Sequence, residues 1–231
     1  MDLWGKITAV KGNRVVISLE SAQELASLSL FTTEEQPQVV VNVQDERKLS
    51  VLQRKKAYAL IAEIARWSGY IPEECKEWLK YYFTAETGTP YFSFSNADMT
   101  TAKEFITFLL DYAIRNHVPM KHSGLTYQDD LEAYMYSSLK YRSCVICGKH
   151  ADVHHWVGSR IGMGNNRKSI DHSKRELMAL CRIHHQELHQ MGDVEFAARY
   201  HVKPIKLSYE DLIRLGLMTK KQVEELSSEE S

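Results

Sequence analysis

The chain has 231 residues, 44% of them hydrophobic, and its 29 Lys and Arg against 30 Asp and Glu leave a formal charge of −1. That apolar share in a near-neutral chain excludes an intrinsically disordered or supercharged tail protein, and the length supports one large core or two modest ones. No apolar run approaches the roughly 20 residues that span a bilayer, and the best candidate, Phe105 to Leu110, stops at Asp111.

The N-terminal stretch carries Asp2, Gly5 and Lys6 where a secretion signal needs an apolar segment. The expectation is therefore a cytoplasmic protein without disulfides. Apolar and polar residues alternate on both sides of Gly12-Asn13, from Trp4 to Val10 and from Val15 to Leu19, which predicts a β-hairpin. Gln38 to Gln44, rich in β-branched residues and placed after Pro37, predicts a third strand. From Ser50 the period changes. Val51, Leu52, Tyr58, Ile61, Ile64, Ala65 and Trp67 recur at helical spacing until Gly69. Pro72 opens a second helix through Trp78 and Tyr82.

Next, the run from Pro90 to Ser95 predicts a short strand. A long helix capped by Asn96 or Asp98 follows, running through Phe105, Phe108, Leu109 and Ile114 and closed by Pro119 and Gly124. A further helix covers Asp129 to Leu139. Residues 192–231 read as a helical tail, with helices over Val194 to Tyr200, Tyr209 to Leu215 and Lys220 to Leu226 and a loop at Pro204. The expected fold class is α+β: a small sheet packed by helices over residues 1–140, a Cys/His-rich segment over 141–191, and the tail. No phosphate loop, nucleotide fingerprint or catalytic-serine motif occurs in residues 1–140.

Within those residues a basic run, Arg47-Lys48 and Arg54-Lys55-Lys56, accompanies aromatic groups at Tyr81-Tyr82-Phe83 and Tyr91-Phe92-x-Phe94. Cations beside stacking platforms suit single-stranded nucleic acid. On the residues alone, the stronger reading is core aromatics and the wet face of a helix. The stretches DERKLSVLQRKKAYALIAEIARWSGY, SFSNADMTTAKEFITFLLDYAIRNHV and LTYQDDLEAYMYSSL resemble phage Orf (NinB-type) recombination mediators, over most of residues 35 to 140. The resemblance implies a homodimer in the bacterial host cytoplasm. It also implies binding of single-stranded DNA, and joint work with single-strand-binding protein in loading a recombinase.

Cysteine and histidine are unevenly spread. Three of the four cysteines and seven of the ten histidines fall between residues 141 and 191. Charge is uneven too: residues 1–140 hold 15 basic and 18 acidic side chains, whereas 140–189 hold 9 and 4. A locally positive segment in a neutral chain points to an anionic partner met at one place. Cys144-x-x-Cys147 and Cys181-x-x-His184, separated by 33 residues, supply four soft or borderline donors, the tetrahedral requirement of a structural zinc. Cys75 stands apart and is expected in the core.

A second set interleaves with the first. His185 and His189, at i and i+4, share a helix face and can grip one cation. His154 and His155 are adjacent, so on an extended chain they point to different sides and take different tasks. One can complete the metal set while the other faces substrate. A divalent ion on His154, His185 and His189 keeps positions open for phosphate oxygens and water, and a neutral His155 can take a proton from that water. His117, His122, His150, His172 and His201 have no such company and read as ordinary imidazoles.

The pieces CVIC, DVHHW and ELMALCRIHHQELH make residues 141–191 similar to an HNH endonuclease domain, a ββα-metal finger with a supporting zinc knuckle. The resemblance implies His154, His185 and His189 as ligands of a catalytic divalent ion and His155 as general base. The structural zinc on Cys144, Cys147, Cys181 and His184 would lie outside the active centre. The implied ion is Mg²⁺ or Mn²⁺, with Zn²⁺ or Ni²⁺ as alternatives. One position departs: where the family carries Asn, five residues before Cys181, this chain has Glu176. An ionised Glu accepts hydrogen bonds but donates none, so it could orient a histidine, bind metal or weaken activity. Arg160, Arg167, Lys168, Lys174 and Arg175 are candidate phosphate contacts. The expected function is a phage recombination factor that joins single-stranded-DNA binding to metal-dependent phosphodiester hydrolysis. The alternatives are a non-catalytic zinc-stabilised DNA-binding module and an adaptor for single-strand-binding protein.

Overall fold

The computed structural model describes residues 5–19, 21, 41, 45–156 and 170–229. The chain divides into two compact units, Met1–Gln44 and Asp45–Ser231. In the first, β1 (Gly5–Lys11) and β2 (Arg14–Leu19) pair antiparallel, with Lys11 opposite Arg14 across the Gly12-Asn13 turn. This is the hairpin that the alternation predicts. Of the expected third strand at 38–44, all but Val41 lies outside the described residues.

The second unit begins with α1 (Val51–Ser68). Ser50 caps it through a reciprocal pair of hydrogen bonds with Gln53, and Gly69 ends it in the left-handed conformation at φ 80°, which glycine adopts without a Cβ penalty. Helix α2 (Pro72–Thr87) starts at the expected proline. Helix α3 (Met99–Arg115) is capped by Asp98, whose carboxylate accepts from the Thr101 amide and hydroxyl. Two shorter helices follow, α4 (Gly124–Tyr127) and α5 (Leu131–Lys140), the latter capped by Asp130.

Two local expectations are corrected. Residues 90–95 form no strand: Phe92 and Phe94 do alternate inward, but the Asn96 and Ala97 amides both donate to the Ser93 carbonyl and close a turn. Helix α3 ends at Asn116, before Pro119, and Gly124 opens α4 instead of closing α3. A Cβ at Gly124 would stand 2.4 Å from the Tyr134 ring, so glycine there is a packing requirement.

Leu60, Ile61, Ile64, Leu79, Phe83, Phe105, Ile106 and Leu109 are fully buried at the centre of the helical body, with Cys75 among them as expected. Phe105 meets Phe83 and Phe92 edge-on, with centroids 5.4 and 5.2 Å apart. The same core runs on through Met135 and Leu139 to Cys144, Val145 and Leu177–Leu180. The Tyr134 hydroxyl donates to the Val145 carbonyl at 2.8 Å. The expected boundary near residue 140 thus falls inside one compact unit.

There β3 (Asp152–His155) and β4 (Leu177–Leu180) pair antiparallel, with His154 opposite Met178 and His155 opposite Leu177. All four residues of β4 are buried. On its other edge, Leu177 exchanges both main-chain hydrogen bonds with Ile205, at 2.8 and 3.1 Å. Helix α6 (Arg182–Met191) follows β4 directly, then α7 (Asp193–Tyr200), α8 (Tyr209–Arg214) and α9 (Lys220–Glu229), the helical tail that the sequence predicts. The chain is a mixture of helices and small sheets. Among the described residues no helix is long and apolar enough to cross a membrane.

Replacing Phe105 by Ala removes the ring on which these edge contacts converge. It is expected to cost about 3–5 kcal/mol, read as a lowered urea midpoint by circular dichroism. A loss under about 1 kcal/mol would contradict this account of the core.

Candidate metal centre

The first donor cluster is assembled by main-chain bonds around a tight turn. The Cys144 amide donates to the Lys149 carbonyl at 2.7 Å, and the Gly148 amide, at φ 70°, donates back to the Cys144 carbonyl at 2.8 Å. Glycine is required there because a side chain rarely tolerates that φ. The turn is fixed to β4 by the Val145 amide, which donates to the Ala179 carbonyl at 3.1 Å. Opposite it, Cys181 is the N-cap of α6 and His184 lies in the first turn of that helix.

One ligand atom from each of Cys144, Cys147, Cys181 and His184 lies within 4.8 Å of all the others. Cys147 Sγ and Cys181 Sγ are 3.7 Å apart, and His184 Nδ1 is 3.5 Å from Cys144 Sγ and 3.2 Å from Cys181 Sγ. Tetrahedral zinc geometry sets sulfurs about 3.8 Å apart and sulfur about 3.6 Å from nitrogen. The four donors fit such an ion. Burial pushes the Cys144 thiol up to about 12. Burial also opposes ionisation of Cys181, but hydrogen bonds from the His184 main chain and from Cys147 and Cys144 outweigh it and hold this thiol below its ordinary value. Burial holds His184 below its ordinary value as well, so its imidazole is neutral near pH 7, the form a metal requires.

The second cluster joins β3 to the next residues of α6. His154, His185 and His189 each offer a nitrogen within 4.8 Å of the other two. Their ring centroids stand 4.6 to 5.6 Å apart and the rings meet edge-on. His154 is buried, His185 half-buried and His189 exposed, so the cluster opens outward along the helix. Three imidazole nitrogens with an open side suit one divalent cation and leave positions for further ligands.

Strand alternation sends the neighbouring side chain the other way. His155 Nε2 lies 3.0 Å from His172 Nδ1, with ring centroids 5.1 Å apart. Sequence reading passed over His172, because it lies 17 residues from its partner and belongs to no periodic pattern. Its turn is anchored by Asp171, whose carboxylate accepts from the Ser173 amide at 2.9 Å, the Ser173 hydroxyl at 2.6 Å and the Tyr209 hydroxyl at 3.2 Å. Burial works against the Asp171 charge, yet these bonds hold its carboxyl below the usual value.

Of the candidate phosphate contacts, Lys174 is largely exposed and 3.4 Å from Asp171, and the Arg175 amide donates to the His172 carbonyl. Arg160, Arg167 and Lys168 lie outside the described residues. Glu176 extends the β3–β4 ladder by one step, its carbonyl accepting from the Trp156 amide at 2.9 Å. It also lines a cavity of about 360 Å³ with Leu131, Glu132, Lys203, Ile205 and Lys206. In the helical body, Arg54 donates to the Phe94 carbonyl, and Lys56 pairs with Asp129 at 2.7 Å and donates to the Gln128 carbonyl. Phe83, Phe92 and Phe94 are core, while Tyr81 and Tyr91 meet at a tilted angle, exposed, with centroids 5.0 Å apart. Most of the basic-aromatic pattern therefore serves the fold.

Over residues 21–220 the chain matches the family model described as "Putative HNHc nuclease". The chain belongs to this HNH nuclease family. The match takes in both the helical body and the two donor clusters, so the segment that resembles recombination mediators lies within it. No curated protein and no solved structure matches the chain.

Elemental analysis of the full chain after dialysis is expected to find about one tightly held zinc per molecule from the Cys/His cluster. Cys181→Ser should lose that zinc and lower the melting temperature. A variant that keeps its zinc would overturn this donor set.

Proposed function

We propose that this protein is a metal-dependent DNA endonuclease, with His154, His185 and His189 holding the catalytic cation and His155 acting as general base. The reading is carried by the two adjacent histidines of β3, one directed into the three-imidazole cluster and the other away from it. Family membership supports the nuclease class, and the resemblance of residues 35–140 supports single-stranded or branched DNA as the substrate to examine first.

When bound, a divalent cation would supply positive charge for the scissile phosphate and the departing oxygen. His155 takes a proton from the water that attacks phosphorus, and the phosphodiester P–O bond breaks as the new one forms. Lys174 and Arg175, with Arg160, Arg167 and Lys168, contact phosphates of the bound strand. Glu176 supports the strand that bears His155 through its carbonyl. Cys144, Cys147, Cys181 and His184 hold a structural zinc that fixes the start of α6. Imidazole donors alone favour Zn²⁺ or Ni²⁺, whereas Mg²⁺ or Mn²⁺ would draw more on water and phosphate oxygens.

Glu176, at the position of the family's Asn, favours a second reading, a zinc-stabilised module that binds DNA without cutting it. Cleavage separates the two. The purified protein should nick or cut single-stranded, branched or duplex DNA in at least one of Mg²⁺, Mn²⁺, Ni²⁺ or Zn²⁺. His155→Ala should lower the rate by about 10²- to 10⁴-fold while keeping zinc and DNA binding. DNA left intact across all four ions would sink the enzyme reading, and cleavage persisting in His155→Ala would sink the base assignment.

A further inference from the structure

We infer that His172 is a positioning residue that fixes the tautomer and ring orientation of His155, an inference that rests on the reading of His155 as general base. The contact is direct: His155 Nε2 and His172 Nδ1 stand 3.0 Å apart. His172 is only 5% exposed, so the hydrogen bond competes little with water.

Chemistry chooses between the two ways of placing the shared proton. If His172 Nδ1–H donated to His155 Nε2, neutral His155 would carry its own proton on Nδ1 and have no lone pair left for catalysis. If His155 Nε2–H donates to His172 Nδ1, His155 keeps a lone pair on Nδ1 and can accept a proton there. Only the second arrangement makes His155 a base. It requires neutral His172 to carry its proton on Nε2.

The turn around His172 is built to hold this geometry. The Asp171 carboxylate gathers the Ser173 amide and hydroxyl from its own turn and the Tyr209 hydroxyl from α8. The Arg175 amide donates to the His172 carbonyl at 3.1 Å and closes the turn. A second imidazole thus supplies the orienting acceptor.

The test combines structure and rate. Nitrogen-15 NMR of the zinc-loaded wild-type chain should report His155 as the Nε2–H tautomer and His172 likewise. An Nδ1–H His155 would overturn the proposal without any variant. In cleavage assays His172→Ala should lower kcat about 10- to 100-fold with KM within about twofold, as for the loss of an orienting partner. His172→Asn places an amide oxygen near the lost Nδ1 and should recover most of kcat. Wild-type rates in His172→Ala, or a folded His172→Asn as slow as His172→Ala, would overturn the proposal. If the wild-type chain cleaves no DNA, the nuclease reading fails, and the NMR tautomer still decides whether His172 orients His155.

Discussion

The rotational setting of helix α6 governs both donor clusters. Cys181 caps the helix, and the two residues that follow each other at 184 and 185 point about 100° apart around its axis. One therefore faces the cysteines while the other faces β3, and His189 stands one turn beyond His185 on the same face. A cation on Cys144, Cys147, Cys181 and His184 would lock that rotation. Slip the helix by one residue and every side chain on it turns by about 100° in the same sense, so that His184, His185 and His189 all leave their clusters together. The two donor clusters are coupled through a single turn of helix.

That turn is itself held by the least exposed strand in the unit. β4 is buried along its whole length, with β3 on one edge and Ile205 on the other. It shares its apolar environment with Tyr134, Met135 and Leu139 of α5. Donors placed on a strand and a helix hold position better than donors on loops. Every described metal donor but Cys144 and Cys147 sits on or caps such an element, and those two lie in a turn closed by main-chain bonds.

The donor spacings were the most legible feature of the sequence, because coordination geometry leaves few ways to arrange four ligands. The termini of α1 were legible for a similar reason, since Ser50 and Gly69 act through local backbone bonds. Patterns that depend on tertiary partners were harder to read. Phe92 and Phe94 alternate like a strand, but they line a turn against Phe105. Arg54 and Lys56 look like a solvated basic face, yet each is drawn to acceptors far along the chain, at Phe94 and at Gln128 and Asp129. His172 was invisible for the same cause: its meaning comes from a contact that no periodicity encodes.

The tie between Tyr209 and Asp171 acquires a further meaning when the chain is considered as it is made, from its N-terminus onward. All seven metal donors precede residue 190, but Ile205 and Tyr209 emerge later. Both donor clusters are thus complete in the nascent chain before the turn that bears His172 is secured. Among these contacts, the hydroxyl that steadies this turn is the last to arrive during synthesis.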